Sequence, residues 1–334
     1  MGPNQHPSPD IYPGLDDELD AVYERNVAEG IAAPITEAGR EDLEEIVEEQ
    51  LQQQAPNIAQ PEHVKPEELQ AWAGPSLVEA STAWQKYSNP IGKPEGPPKP
   101  HSVFAELVSS NPNFYPTLER LYNAKQALKT PGEIDQAGEK VGDSMKLVLI
   151  PWQAIYDELA DFPNWINRLR GAQQVASKDD YINDHLAKAI REDQPMYRDS
   201  ETPSKLLRPS EYLSQKIARD GPWGVILAQA SPQAGILRLK GQSPNQLTVN
   251  GDNHLEITGQ KVDAMGVFEW IALTLQEDPR QLSSKDYSWF LANRLDVNGG
   301  PYVPNGGWLG DRVRSYLNRA DYQLGNGRPR LAVS

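Results

Sequence analysis

The sequence predicts an α+β protein, helical in its first 200 residues and built of short strands with much irregular structure after them. Three observations carry this. Apolar residues recur at helical spacing up to about residue 194, Gly, Trp and short apolar runs dominate beyond about residue 220, and a polar stretch with two prolines at 193–205 separates the two textures. The chain has 334 residues, 38% of them hydrophobic and 24% charged, with 29 Pro and 25 Gly. That balance suits globular pieces joined by polar linkers, divided here as 1–100, 101–200 and 201–334.

The chain contains no cysteine, which removes disulfides, thiolate metal sites and thiol catalysis. No apolar run approaches the ~20 residues that span a bilayer, and residues 1–20 are Pro-rich and acidic instead of carrying a basic and then an apolar segment. A cytoplasmic protein that does not enter a membrane is the expectation. The net charge of −15 is concentrated: residues 1–100 hold 19 Asp/Glu against 6 Lys/Arg, a net of −13, while residues 201–334 hold 13 against 15, a net of +2. Nucleic acid binding needs clustered cations to displace counterions, and the acidic arm opposes it, so nucleic acid is not an expected partner.

Along the chain, residues 1–14 read as a leader without structure, residues 15–29 as a short acidic helix, and residues 41–54 as a helix with Leu43, Ile46, Val47 and Leu51 on one face. The paired Glu44/Glu45 and Glu48/Glu49 are read as its solvated face and not as acid–base machinery. A helix over 67–84 follows Pro66. Residues 89–100, with five prolines in twelve, predict a stiff polyproline spacer or, alternatively, a ligand for an aromatic groove.

Helices are then predicted over 101–109, 116–128, 164–176 and 179–192, with a broken stretch over 133–161. There the apolar run 145–150 is read as the end of a helix stopped by Pro151, and Trp152–Leu159 as the start of another. Phe104, Tyr122, Trp152, Tyr156 and Trp165 are read as packing residues, and His185 as a surface or hydrogen-bonded histidine. After a helix over 210–219, strands are predicted at 223–229 and 236–240. A hairpin is expected to join 247–249 to 255–257 through Asn250-Gly251-Asp252-Asn253, where Asn-Gly supplies positive φ. Residues 263–277 predict a helix with Asp263 as N-cap and a stripe of Val267, Phe268, Ile271 and Leu275. Few regular elements are expected from Tyr287 onward.

Little in the sequence points to catalysis. His6, His63, His101, His185 and His254 are scattered singly, without metal-ligand spacing, and no nucleophile elbow or phosphate-binding loop is present. Asp252, Glu256 and Asp263 could cluster around calcium, but they fit no calcium-loop signature. A hydrolase or oxidoreductase would have to use residues that no motif marks, with Asp252, His254, Glu256 and Asp263 the ones to test.

The most specific signal is the tail, residues 299–334, in which Gly306-Gly307-Trp308 precedes Arg314 and Arg319, and Gly327-Arg328-Pro329-Arg330-Leu331-Ala332-Val333 closes the chain. This tail resembles the end of the C-type-lectin-like fold in its formylglycine-generating-enzyme (sulfatase-modifying) form. The likeness is close over about 35 residues and looser from about Leu206 onward. Gly-Gly-Trp lacks the residue usual before the tryptophan, and Arg328-Pro329-Arg330 stands where Phe-Arg is usual. The oxidases of that family bind copper through cysteines and the related iron enzymes need several histidines. This chain has no cysteine, and His254 is the one histidine in the region, so neither activity is expected and no cofactor is implied.

The resemblance then implies the third branch of the family, ligand-binding variable proteins diversified by diversity-generating retroelements, with the mutable positions in the last stretch of the domain. The positions without a scaffold logic are Asn305, Gly307, Leu309, Asp311, Arg312, Tyr316, Asn318, Arg319, Asp321, Tyr322, Leu324, Asn326 and Gly327. Residues 312–318 alternate like a strand, with Val313, Ser315 and Leu317 on one face and Arg312, Arg314, Tyr316 and Asn318 on the other, a mixture suited to protein recognition. Trp270, Trp289 and Trp308 are read as core. A protein or other macromolecule is the expected ligand, with the helical region serving self-association or docking. The alternative is a helical structural or adaptor protein with a small invariant appendage.

Overall fold

The computed structural model describes residues 63–87, 96–128, 141–172, 182–199, 202, 205–230, 241–247, 254–257, 260–276, 287–309, 312–324, 327–329 and 332–333. The leader at 1–14, the helices expected over 15–29 and 41–54 and the strand expected over 236–240 lie outside these residues. What is described is a mixed α+β structure of helices and small, largely antiparallel sheets. Among the described residues no helix is long and apolar enough to cross a membrane.

Helix α1 (Pro66–Gln85) starts with proline in its first turn, where the missing N–H costs nothing, and buries Leu69, Ala73, Leu77, Ala80 and Trp84 along one stripe. Helices α2 (Val103–Ser110) and α3 (Phe114–Ala127) follow. The run Met145–Ile150, expected to end a helix, is instead strand β1. Six residues, all but Lys146 buried, suffice for a strand covered on both faces but are too few for a stable helix, and periodicity cannot separate the two. Pro151 does stop the element, and α4 (Trp152–Asp157) begins directly after it. A 3-10 turn (Leu159–Asp161), α5 (Phe162–Ala172), α6 (Asp184–Arg191), the short pair β2 (Tyr197–Arg198) and β3 (Leu206–Leu207), and α7 (Pro209–Asp220) lead to β4 (Gly224–Gln229).

Strand β4 pairs antiparallel with β1, from Met145 opposite Gln229 to Ile150 opposite Gly224, and on its other side with β12 (Ala332–Val333). Residue 200 therefore marks a change in composition and not a gap in structure: the sheet runs across it, and residues 63–334 form one compact unit.

The outer edge of β1 is closed by side chains. The carboxamide of Gln276 accepts from Leu149 N–H at 2.9 Å and donates to Leu149 C=O at 2.7 Å, a side chain acting as a one-residue strand. Trp84 Nε1 donates to the same carbonyl at 3.0 Å, and Lys125 Nζ to that of Met145 at 2.8 Å.

The turn expected at Asn250–Asn253 lies outside the described residues, and on either side of it the described elements differ from the expected strands. Leu247 closes the short helix α8 (Pro244–Leu247), and β5 (His254–Ile257) pairs with β6 (Gln260–Asp263), while residues 248–253 are outside the description. Asp263 thus belongs to a strand and does not cap the next helix, α9 (Val267–Gln276). The cap comes from far along the chain: Asn293 Oδ1 accepts from Val267 N–H at 2.8 Å, and the Tyr197 hydroxyl from Phe268 N–H at 3.2 Å. Every residue from Val267 to Leu275 is buried, as befits a helix enclosed on all sides.

Where few regular elements were expected, the chain forms β7 (Tyr287–Trp289), β8 (Leu295–Val297), β9 (Gly300–Leu309), β10 (Arg312–Arg319) and β11 (Gly327–Pro329). Their order is β10-β9-β7-β11, with β8 also on β9. Glycines and prolines in β9 hide the alternation that its partners enforce. Gly306 is needed there: a Cβ would stand 2.7 Å from the Phe290 ring and 2.9 Å from that of Trp270, so the second sheet closes onto α9 through this position.

Candidate ligand-binding face

The hairpin β9–β10 is registered from Leu309 opposite Arg312 to Tyr302 opposite Arg319. Ser315 is buried, its hydroxyl accepting from Asn183 N–H at 3.3 Å, and Leu317 packs against the core. The opposite parity places Arg314, Tyr316 and Asn318 together, each half-buried. Beyond the strand Ala320 is buried, with its N–H on Pro301 C=O at 2.9 Å. The exposed Arg319 grips Asp321 through two bonds of 3.1 and 3.0 Å, and Tyr322 is 51% exposed. Leu324 leans partly onto the core.

Asn305 and Gly307 lie on the same sheet face as Tyr316 but are buried. Opposed residues form one cross-strand row, Tyr316 on β10, Asn305 on β9 and Trp289 on β7. Tyr287 is two residues before Trp289 and so on the same face. Its ring meets that of Tyr316 edge to face at 5.6 Å, although one whole strand separates their backbones, so the two rings lean over β9 and bridge it. Gly307 stands two residues from Asn305, opposite Arg314. Arg314 Nη1 reaches the Tyr316 hydroxyl at 3.5 Å. Burial pushes the Tyr287 phenol above its ordinary range, the adjoining Tyr316 phenol adds to this, and the Arg314 charge pulls it back.

Of the remaining positions, Leu309 and Arg312 end their strands and Gly327 pairs with Tyr287 in β11. Asp311 and Asn326 lie outside the described residues. Trp270 and Trp289 are core residues, 4% and 0% exposed.

A second polar cluster has no sequence signal. Glu269, 3% exposed, accepts from the Tyr212 hydroxyl, and the Tyr212 ring stacks on that of Tyr197 with centroids 4.0 Å apart and planes at 12°. Lys216 Nζ stands 5.0 Å from the Tyr212 ring centre and 5.9 Å from that of Trp152. Burial first, and then the Glu269 carboxylate, pushes both phenols well above their ordinary range, which keeps them hydrogen-bond donors. Its members come together because α7 and α9 meet, an arrangement that spacing along the chain does not reveal. The cluster is enclosed and secures the start of α9.

Of the alternative catalytic residues, His254 stands opposite Asp263, and Glu256 opposite Lys261, on β5 and β6, while Asp252 is outside the description. Among the described residues no three His, Cys, Asp or Glu side chains gather to hold a metal. Compared with known proteins, the chain matches no family model, no curated protein and no solved structure.

Proposed function

We propose that this chain is a non-enzymatic ligand-binding protein whose contact surface is the β9–β10 hairpin and the turn after it, diversified between copies by a retroelement. The observation that carries the reading is the separation of roles along β10. Ser315 and Ala320 are buried and Leu317 packs on the core, whereas Tyr316, Asn318, Arg319, Asp321 and Tyr322 stand half-buried or exposed beside one another. Residues of the second group can change without removing a core contact, which a diversified surface requires. Tyrosine, asparagine and arginine also combine rigid contact area with adaptable hydrogen bonding, the mixture found in protein-recognising loops.

Deep sequencing of the last part of the gene across a population of the source organism tests this. Substitutions concentrated at Tyr316, Asn318, Arg319, Asp321 and Tyr322, with Val303, Ser315, Leu317 and Ala320 constant, are the expected result. An invariant tail, or changes that ignore this partition, would overturn it in favour of an adaptor with a fixed appendage. Deleting residues 300–334 is a poorer test, because β12 pairs with the central strand β4 and would be lost too.

A further inference from the structure

Three polar atoms are stranded in one cross-strand row. Asn305 is 1% exposed and Trp289 0% exposed, and they oppose each other on β9 and β7. Among the described residues, neither Asn305 Oδ1, Asn305 Nδ2 nor Trp289 Nε1 has a hydrogen-bond partner. Both ends of the Asn305 carboxamide are unmatched, so exchanging its oxygen and nitrogen changes nothing. Buried tryptophan N–H and amide groups are ordinarily paired, because leaving them unpaired forfeits their hydration. Trp152 Nε1 and Trp165 Nε1 also lack a described partner, but at Asn305 and Trp289 two residues opposed across the strands lack one together, where a single outside group can complete both. The Tyr287–Tyr316 bridge lies over this part of β9, and both tyrosines are half-buried, so the row sits directly beneath the proposed contact surface.

We infer that the row Tyr316–Asn305–Trp289 is a slot for a planar amide of the ligand, entered when the Tyr287–Tyr316 bridge parts. The row offers two N–H donors, Asn305 Nδ2 and Trp289 Nε1, and one acceptor, Asn305 Oδ1. An amide answers both kinds, its C=O taking the donors and its N–H reaching Oδ1. A carboxylate would satisfy the donors but turn a second negative oxygen toward Oδ1, so it is excluded. The slot rests on the ligand-binding reading and gives it a fixed element: Asn305, at first expected to vary, and Trp289 are the shared amide anchor at the floor, with the variable Tyr316 and its neighbours above it.

The test uses the full chain labelled with nitrogen-15 in its tryptophan indoles. The eight indole N–H signals are few enough to resolve, and Trp289→Phe assigns the one that matters. Acetamide, N-methylacetamide and acetate are titrated separately into the high millimolar range. A saturable shift of the Trp289 signal with an amide but not with acetate is expected, together with at least a tenfold loss of apparent affinity in Asn305→Leu. Acetamide acting alone assigns the slot to an Asn or Gln side chain, and N-methylacetamide acting as well or better assigns it to a backbone peptide group. Three results would overturn the proposal: linear drift of all eight signals alike, an equal response to acetate, or a Trp289 N–H that shows only magnetisation exchange with a trapped water. The amide-against-acetate comparison needs no variant, so a failure of Asn305→Leu to fold leaves it decisive. A negative titration beside positive population sequencing removes the slot and keeps the variable surface, and the reverse pattern does the opposite.

Discussion

The two main sheets differ in their polar groups: against the first, Trp152 Nε1 beside Gly224 of β4 is one donor without a described partner, while in the second the unpaired atoms fall on two opposed residues. In the sheet β1-β4-β12, the free edge of β1 is answered at two residues: Gln276, Trp84 and Lys125 from three different helices occupy the Leu149 and Met145 backbone groups. In the sheet β10-β9-β7-β11, Asn305 and Trp289 are sealed in with three polar atoms unanswered by any described residue. A region that only has to hold together gains by pairing every donor and acceptor, whereas a region that must meet another molecule keeps some unpaired until it does. On the proposed ligand-binding reading, the first sheet is the scaffold, and the second is the part of the fold that tolerates a cost for the sake of binding.

The comparison breaks most visibly at Trp84. Trp84→Ala removes a fully buried ring and a donor to the β1 edge, and a loss of about 4 kcal/mol in urea unfolding is expected. Gln276→Leu keeps the volume but strips Leu149 of one partner for its N–H and one for its C=O; a loss of about 2–3 kcal/mol is expected by the same measurement. Gly306→Ala drives a methyl against Phe290 and Trp270, and a drop of about 2 kcal/mol would show that the hairpin sheet is also tightly fitted on its inner face.

Asn305→Leu sharpens the contrast, because the same kind of change made at Gln276 should here reverse sign. Removing an unpaired buried carboxamide is expected to raise stability by about 1 kcal/mol, read as a higher urea midpoint, while amide binding is lost. Equal destabilisation at both positions would erase the distinction between the sheets.

The smallest effect belongs to neither sheet. His63 Nδ1 lies 2.7 Å from Glu119 Oε1, and this hydrogen bond first, and then the carboxylate's charge, raises the His63 pKa; the same bond, helped by Val64 N–H, lowers that of Glu119. The histidine's contribution is complete below its ordinary value and fades as pH rises through the raised one. That of the carboxylate is complete above its ordinary value and fades as pH falls through the lowered one. An NMR titration should find the His63 midpoint above about 6.5 and return it there in Glu119→Gln, with little change in the unfolding midpoint.

How far the fold could be read from sequence depended on whether a residue's partner was local. The alternation of β10 was legible because Ser315 and Leu317 differ in kind from Tyr316 and Asn318, and α1 was legible because its stripe repeats through five turns. β1 was not, since a run of apolar residues carries no period, and the cap of α9 was not, since it comes from Asn293 and Tyr197. Tyr316 is half-buried and Tyr322 exposed, but the burial of Asn305 was not legible in the sequence. Asparagine usually signals turns and surfaces, and the burial of Asn305 arises on a sheet face whose neighbours come from other strands.

The side-chain cover on β1 also bears on how the chain would keep its fold under the proposed diversification of its tail. An open strand edge is a template on which another copy can add a strand, the first step toward aggregation. Here that edge is covered by groups from α1, α3 and α9, none of them in the tail. On the proposed reading, a tail sequence that weakens the hairpin sheet but keeps α9 in place and β12 on β4 leaves the template covered, so such copies lose binding before they become sticky. A change at the contact between Gly306, Phe290 and Trp270, by which the tail meets α9, would loosen Gln276 from the β1 edge, and loss of β12 would open that of β4.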